Sequence, residues 1–89
     1  MATKILIADD ESRIRKLVND FLSKEGYEVI EAKDGQEALD KFYADKPDLL
    51  ILDIMMPHFS GLEVCEEIRE TAKDVPIIIL TAKDTEADE

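Results

Sequence analysis

Three short runs of unbroken apolar residues, each halted by a polar residue at its C-terminal end, constrain this chain most. Ile5-Leu6-Ile7-Ala8 stops at Asp9, Leu49-Leu50-Ile51-Leu52 at Asp53, and Ile77-Ile78-Ile79-Leu80 at Thr81. A four-residue run with no polar alternation suits a strand covered on both faces, the usual state of a parallel sheet. Between the runs the period changes to that of a helix. Ile14, Leu17, Val18, Phe21 and Leu22 fall on one helical stripe, and Gly26 supplies a C-terminal stop. Asp34-Gly35-Gln36-Glu37 reads as a capping box, with Asp34 as N-cap and Glu37 reaching back. The helix it opens carries Ala38, Leu39, Phe42 and Tyr43 on one side and ends at Pro47. Ser60-Gly61-Leu62-Glu63 is a second capping box, opening a helix with Cys65, Ile68 and Ala72 inward. Tyr27 to Ala32 is a further strand, and its Glu28 and Glu31 suit a sheet edge. Pro76 stands where a strand can begin without losing a ladder bond.

Four strands alternating with three helices imply an α/β fold, a parallel sheet with right-handed crossovers. The charged second strand belongs at an edge and the first and third in the middle, so the predicted order is 2-1-3-4. That order leaves Ile77 to Leu80, as apolar as a central strand, at an open edge. Only three helices are available for two faces. The pattern therefore calls for a further strand and helix, or for some other cover over the fourth strand, and the 1–89 unit reads as one incomplete domain.

Composition narrows the function classes. With 11 Lys+Arg against 22 Asp+Glu, the formal charge is −11. That balance opposes direct nucleic-acid binding, which needs cations to displace counterions, and opposes an anionic membrane surface. Disorder is excluded as well, because Ile, Leu, Val and Phe make up 26 of the 89 residues, more than the roughly 20% typical of disordered chains. Cys65 is the sole cysteine, so no internal disulfide is available and a reducing cytoplasm is the natural setting. No stretch approaches the roughly 20 apolar residues of a membrane span.

Ligands of open α/β sheets bind beyond the C-terminal strand ends, where the strand order reverses. Here the first strand delivers Asp9 and Asp10, the third Asp53 and the fourth Thr81. Like charges about 4 Å apart repel by about 4 kcal/mol at an effective dielectric near 20, so such a cluster wants protons or a hard cation. An oxygen-only set with open positions suits Mg²⁺, which keeps waters and reaches phosphate oxygens. A carboxylate beside it can then act as a nucleophile toward phosphorus. Each residue alone has a plainer role. Asp9-Asp10 also makes a favourable helix start, Met55 and Met56 fill apolar gaps, Cys65 sits in the core, and His58 has no partner for zinc. The convergence of three carboxylates carries the case. Lys83 is the nearest basic residue in sequence, but it lies past the strand end.

Taken together, Asp9-Asp10, Leu50-Ile51-Leu52-Asp53-Ile54-Met55-Met56-Pro57, Gly61 and Leu80-Thr81-Ala82-Lys83 resemble the receiver domain of bacterial two-component response regulators, along the whole chain. The Leu-Thr-Ala-Lys-Asp stretch is most similar to receivers of OmpR-like transcription factors. The resemblance implies a flavodoxin-like, doubly wound sheet, and receivers extend the order to 2-1-3-4-5. It implies that Asp53 takes a phosphoryl group from the phosphohistidine of a sensor histidine kinase. It implies Mg²⁺ held by Asp10, Asp53 and the main-chain carbonyl of Met55, with Asp9 bound directly or through water. Thr81 would be the switch hydroxyl, and Pro57 and Gly61 would shape the loop after Asp53. His58-Phe59-Ser60 departs from the family, which usually has Gly and Asp there. The family also continues through the rest of a fourth helix, a fifth strand bearing an essential Lys and a fifth helix, none of which matches residues here. The resemblance thus implies self-catalysed phosphoryl transfer while leaving that activity open for this chain. The alternative is an interaction module that associates with itself, or with a complementary segment, through the open sheet face and fourth-strand edge. An aspartate-nucleophile phosphatase is set aside because Met55 stands where such enzymes carry a second Asp.

Overall fold

The computed structural model describes residues 3–56 and 59–80. The elements are β1 (Lys4–Ala8), α1 (Ser12–Lys24), β2 (Glu28–Ala32), α2 (Gly35–Asp45), β3 (Leu49–Asp53), α3 (Gly61–Thr71) and β4 (Ile77–Leu80). All four strands form one parallel sheet in the order β2-β1-β3-β4. This is the predicted order. It puts the charged strand at one edge and the apolar β4 at the other.

The register explains the burial. Leu6, Ala8, Leu50 and Leu52 point to one face, where they join Ala38 and Phe42 of α2 and Val64 and Ile68 of α3 in a single buried core. Ile5 and Ile7, of opposite parity, are buried beneath α1 on the other face. The α1 stripe departs from expectation. Leu17 and Phe21 remain 66% and 65% exposed, and no α1 residue is fully buried. The cause is the position of α1 over β1 and β2. Arg15 and Asn19, on one flank, donate hydrogen bonds to Glu31 of β2 at 3.2 and 2.6 Å. The opposite flank, with Leu17 and Phe21, lies away from that pairing and is left exposed by the described residues.

The helix ends follow their local chemistry. Ser60 caps α3 in a full capping box, its hydroxyl accepting from the Glu63 N–H while Glu63 accepts from the Ser60 N–H. At α2, Asp34 accepts from the Glu37 N–H at 2.8 Å as expected, but Glu37 reaches one residue further and accepts from the Lys33 N–H. Gly26 adopts φ +95°, the left-handed turn that lets the chain leave α1 for β2. Lys46 closes α2 at φ 51°, and the buried Pro47 follows it.

Candidate functional site

The strand ends build the site. Asp9 and Asp10 follow the last residue of β1, and Asp53 is the last residue of β3, its neighbour in the sheet. One carboxylate oxygen from each of the three lies within 4.8 Å of the others. Asp9 and Asp53 are each only 5% exposed, whereas Asp10 faces solvent. The sequence-derived carboxylate cluster is therefore assembled in the fold.

Backbone groups fix its geometry. Asp9 Oδ1 accepts from the Glu11 N–H at 2.9 Å, and its own carbonyl accepts from Arg15 Nη1 at 2.6 Å. Arg15 thus ties β1's end to α1 while pairing with Glu31. Asp53 Oδ1 accepts from the Met55 N–H at 3.3 Å. Among the described residues no Lys or Arg forms an ion pair with any of the three carboxylates. Asp9 accordingly has its pKa raised, chiefly by burial and further by the neighbouring charges of Asp53, Asp10 and Glu11, against the lowering effect of the Glu11 N–H.

The donor set fits Mg²⁺. It is composed of oxygen atoms, it carries excess negative charge, and the one exposed member leaves coordination positions open to water and phosphate. Asp9, Asp10 and Asp53 would hold the ion.

Other sequence expectations meet the structure unevenly. Thr81, Lys83, Pro57 and His58 lie outside the described residues. Met56 packs against the core as expected, but Met55 does not fill an apolar gap: it is 64% exposed, because its position in the loop after Asp53 turns it outward. Cys65 is half-buried and packs against the core. Gly61 presses on the backbone carbonyl of Asp53 and donates its N–H to the Ile54 carbonyl at 3.1 Å. A methyl group at position 61 would collide with that carbonyl, so glycine there lets α3 start directly against the end of β3. Sequence reasoning missed Arg15, Asn19 and Glu31. Their signal was present as an i, i+4 polar pair on α1 beside a Glu in the adjacent strand. A cleft of about 510 Å³ is lined by Lys33, Asp34, Gln36, Glu37, Asp40 and Phe59 and includes none of the three carboxylates.

This arrangement defines a class: a doubly wound sheet with an acidic, cation-ready pocket at the reversal between β1 and β3. Residues 5–89 match the response regulator receiver domain family, and the chain belongs to it. The response regulator MprA of Mycobacterium tuberculosis is 48% identical over 85 residues, which are 96% of this chain and 37% of that protein. This chain thus spans well under half the length of such relatives. Among solved structures, the response regulator TrrA of Thermotoga maritima in complex with Mg²⁺-BeF superposes with a TM-score of 0.87 at 53% identity, over 91% of this chain and 70% of that one. TrrA in complex with the histidine kinase ThkA matches with a TM-score of 0.86 at 49% identity, over 98% of this chain and 75% of that one. The flavodoxin-like fold is the receiver fold. No helix among the described residues is long and apolar enough to cross a membrane.

Proposed function

We propose that this receiver domain accepts a phosphoryl group on Asp53, delivered from the phosphohistidine of a sensor histidine kinase with Mg²⁺ in the pocket. The observation that carries the reading is the approach of the Asp9, Asp10 and Asp53 carboxylates to within 4.8 Å of one another at the β1–β3 crevice. An Asp53 carboxylate oxygen attacks phosphorus as the P–N bond to histidine breaks, leaving an acyl phosphate on Asp53. Mg²⁺, when bound, would supply charge neutralisation for the acidic pocket and the incoming phosphoryl oxygens. Asp10, Asp53 and the Met55 carbonyl would hold the ion, with Asp9 contributing directly or through water. The Met55 N–H orients the acceptor carboxylate, and the Arg15 bond to the Asp9 carbonyl holds the first strand end in place. Thr81 offers its hydroxyl to a phosphoryl oxygen. The TrrA complexes with Mg²⁺-BeF and with ThkA support the metal and the partner by similarity. The single Cys65 and the −11 charge suit a reducing cytoplasm and a partner other than nucleic acid.

The test is intact mass after incubation with Mg²⁺ and acetyl phosphate. Addition of one phosphoryl group, absent in Asp53→Ala, is the expected result. Equal uptake by Asp53→Ala would refute the assignment.

A second reading concerns the face beside α1. Leu17, Phe21 and Ile78 are apolar side chains left 66%, 65% and 48% exposed by the described residues, and β4 is an edge of the described sheet. We propose that protein covers them, as a second copy or a complementary segment. Light scattering across a concentration series checks the self-association arm. A mass that rises with concentration supports it, and an invariant monomer mass opposes it.

A further inference from the structure

The loop after Asp53 rests on a surface that the phosphoryl chemistry does not itself call for: the first residue of α2. A methyl group at Gly35 would lie 2.5 Å from both the Cβ and the carbonyl oxygen of Phe59. Gly35 is buried and its backbone is not in the positive-φ region, so no conformational demand accounts for glycine there. Glycine is in fact disfavoured within a helix relative to alanine. What remains is close approach. Gly35, at the start of α2, and Phe59, shortly before α3, are packed closely together at this point.

The consequence for Asp53 runs through a short, stiff path. Phe59 adjoins Ser60, the α3 cap, whose capping box fixes it to Glu63. The next residue, Gly61, abuts the Asp53 carbonyl and bonds to Ile54. Ile54 in turn donates its N–H to the Leu80 carbonyl at 3.2 Å, and Met55 donates to the Asp53 carboxylate. A shift of Phe59 is therefore passed to the nucleophile's own backbone and to Met55.

Resting on the phospho-acceptor reading, we propose that Gly35 and Phe59 form a positioning contact that sets the β3–α3 loop, and with it Asp53 and the Met55 carbonyl, for Mg²⁺ binding and phosphoryl acceptance. Neither residue touches the reacting atoms. A side chain at position 35 would push Phe59 back by about 1 Å, and a misplacement of that size can cost up to about 100-fold in rate.

The test compares wild type with Gly35→Ala in the full chain. Three readouts apply: acetyl phosphate uptake rate, Mg²⁺ affinity, and the amide NMR shifts of Ile54 and Met55 without metal. The expected result, read at a temperature where both chains are folded, is acceptance slowed about 10- to 100-fold, Mg²⁺ bound about tenfold more weakly, and displaced amide resonances, with a lowered melting temperature from the overpacking. Adding Phe59→Gly, which removes one colliding atom, should recover part of the loss. A merely structural role for glycine would leave the rate, the affinity and the two amides at wild-type values in a folded variant, and that result overturns the proposal. Should Gly35→Ala not fold, Phe59→Gly alone loosens the contact and should slow acceptance several-fold; a wild-type rate there also overturns it. If wild type itself takes up no phosphoryl group, the acceptor reading fails, while the amide shifts still decide the positioning contact.

Discussion

Leu52 and Asp53 are neighbours on β3, both buried, and they do opposite things to the fold. Leu52 is fully enclosed between α2 and α3 with Leu6 and Leu50 and contributes packing. Asp53 is 5% exposed and brings a third carboxylate toward Asp9 and Asp10 without a cationic partner among the described residues. The strand is thus built for stability along its length and carries a cost at its last residue. The strand end carries a chemistry that the strand body does not share.

The largest effect should come from breaking the packing half. Leu52→Ala removes a fully buried side chain and should cost about 2–5 kcal/mol in urea unfolding, a large fraction of what a domain this size possesses. A loss below about 1 kcal/mol would mean that the core collapses freely around the gap. Next comes relief of the charged half by a cation. At 100 times its dissociation constant, Mg²⁺ should stabilise the wild-type chain by about 2.7 kcal/mol. Asp53→Ala should lose most of that gain in a calorimetric melt.

Removing a charge outright sharpens the contrast further. Asp9→Asn keeps an oxygen to accept from the Glu11 N–H and should stabilise the metal-free chain at neutral pH by about 1 kcal/mol, raising Tm by roughly 4–8 °C. The sign follows from proton linkage. Asp9 has its pKa raised in the fold, so the folded chain holds this proton more tightly than the unfolded chain does. Its contribution is fully present below the ordinary carboxylate value of 3.8 and is lost as pH rises through the folded value. The stabilising effect of Asp9→Asn should therefore fade as pH falls toward 3.8. An increment unchanged between neutral and acid pH would contradict the electrostatic origin. The smallest effect is expected at Phe21→Ala. Although apolar and on the predicted stripe, Phe21 is mostly exposed, and its loss should change stability by less than about 0.5 kcal/mol in the monomer.

Phe21 also marks how far the sequence could be read. The strand runs 5–8, 49–52 and 77–80 were legible because an unbroken apolar run set among helical stripes suits a parallel sheet. At β4, an edge of the described sheet, Ile78 nevertheless stays 48% exposed rather than covered on both faces. The edge position of β2 followed from Glu28 and Glu31, and the order from both. The carboxylates converged because strand ends at a topological reversal are neighbours whatever the side chains between them. What periodicity could not convey was which flank of α1 meets the sheet. Leu17 and Phe21 share a helical stripe with Ile14, Val18 and Leu22, yet it is the flank of Arg15 and Asn19 that pairs with Glu31 of β2 while theirs stays exposed. The exposure of Met55 and the contact between Gly35 and Phe59 were likewise hidden. Both depend on a loop path that joins residues far apart in sequence, and no local pattern encodes it.

Asp53 as a Mg²⁺-dependent phosphoryl acceptor is tested most directly by borohydride trapping of chain treated with acetyl phosphate, followed by peptide mass mapping. Borohydride reduces an acyl phosphate and so marks the residue that bore it. The expected result is a reduced residue at position 53 alone, formed with Mg²⁺ and lost in EDTA. Label at another carboxylate, or equal label without the metal, would contradict it.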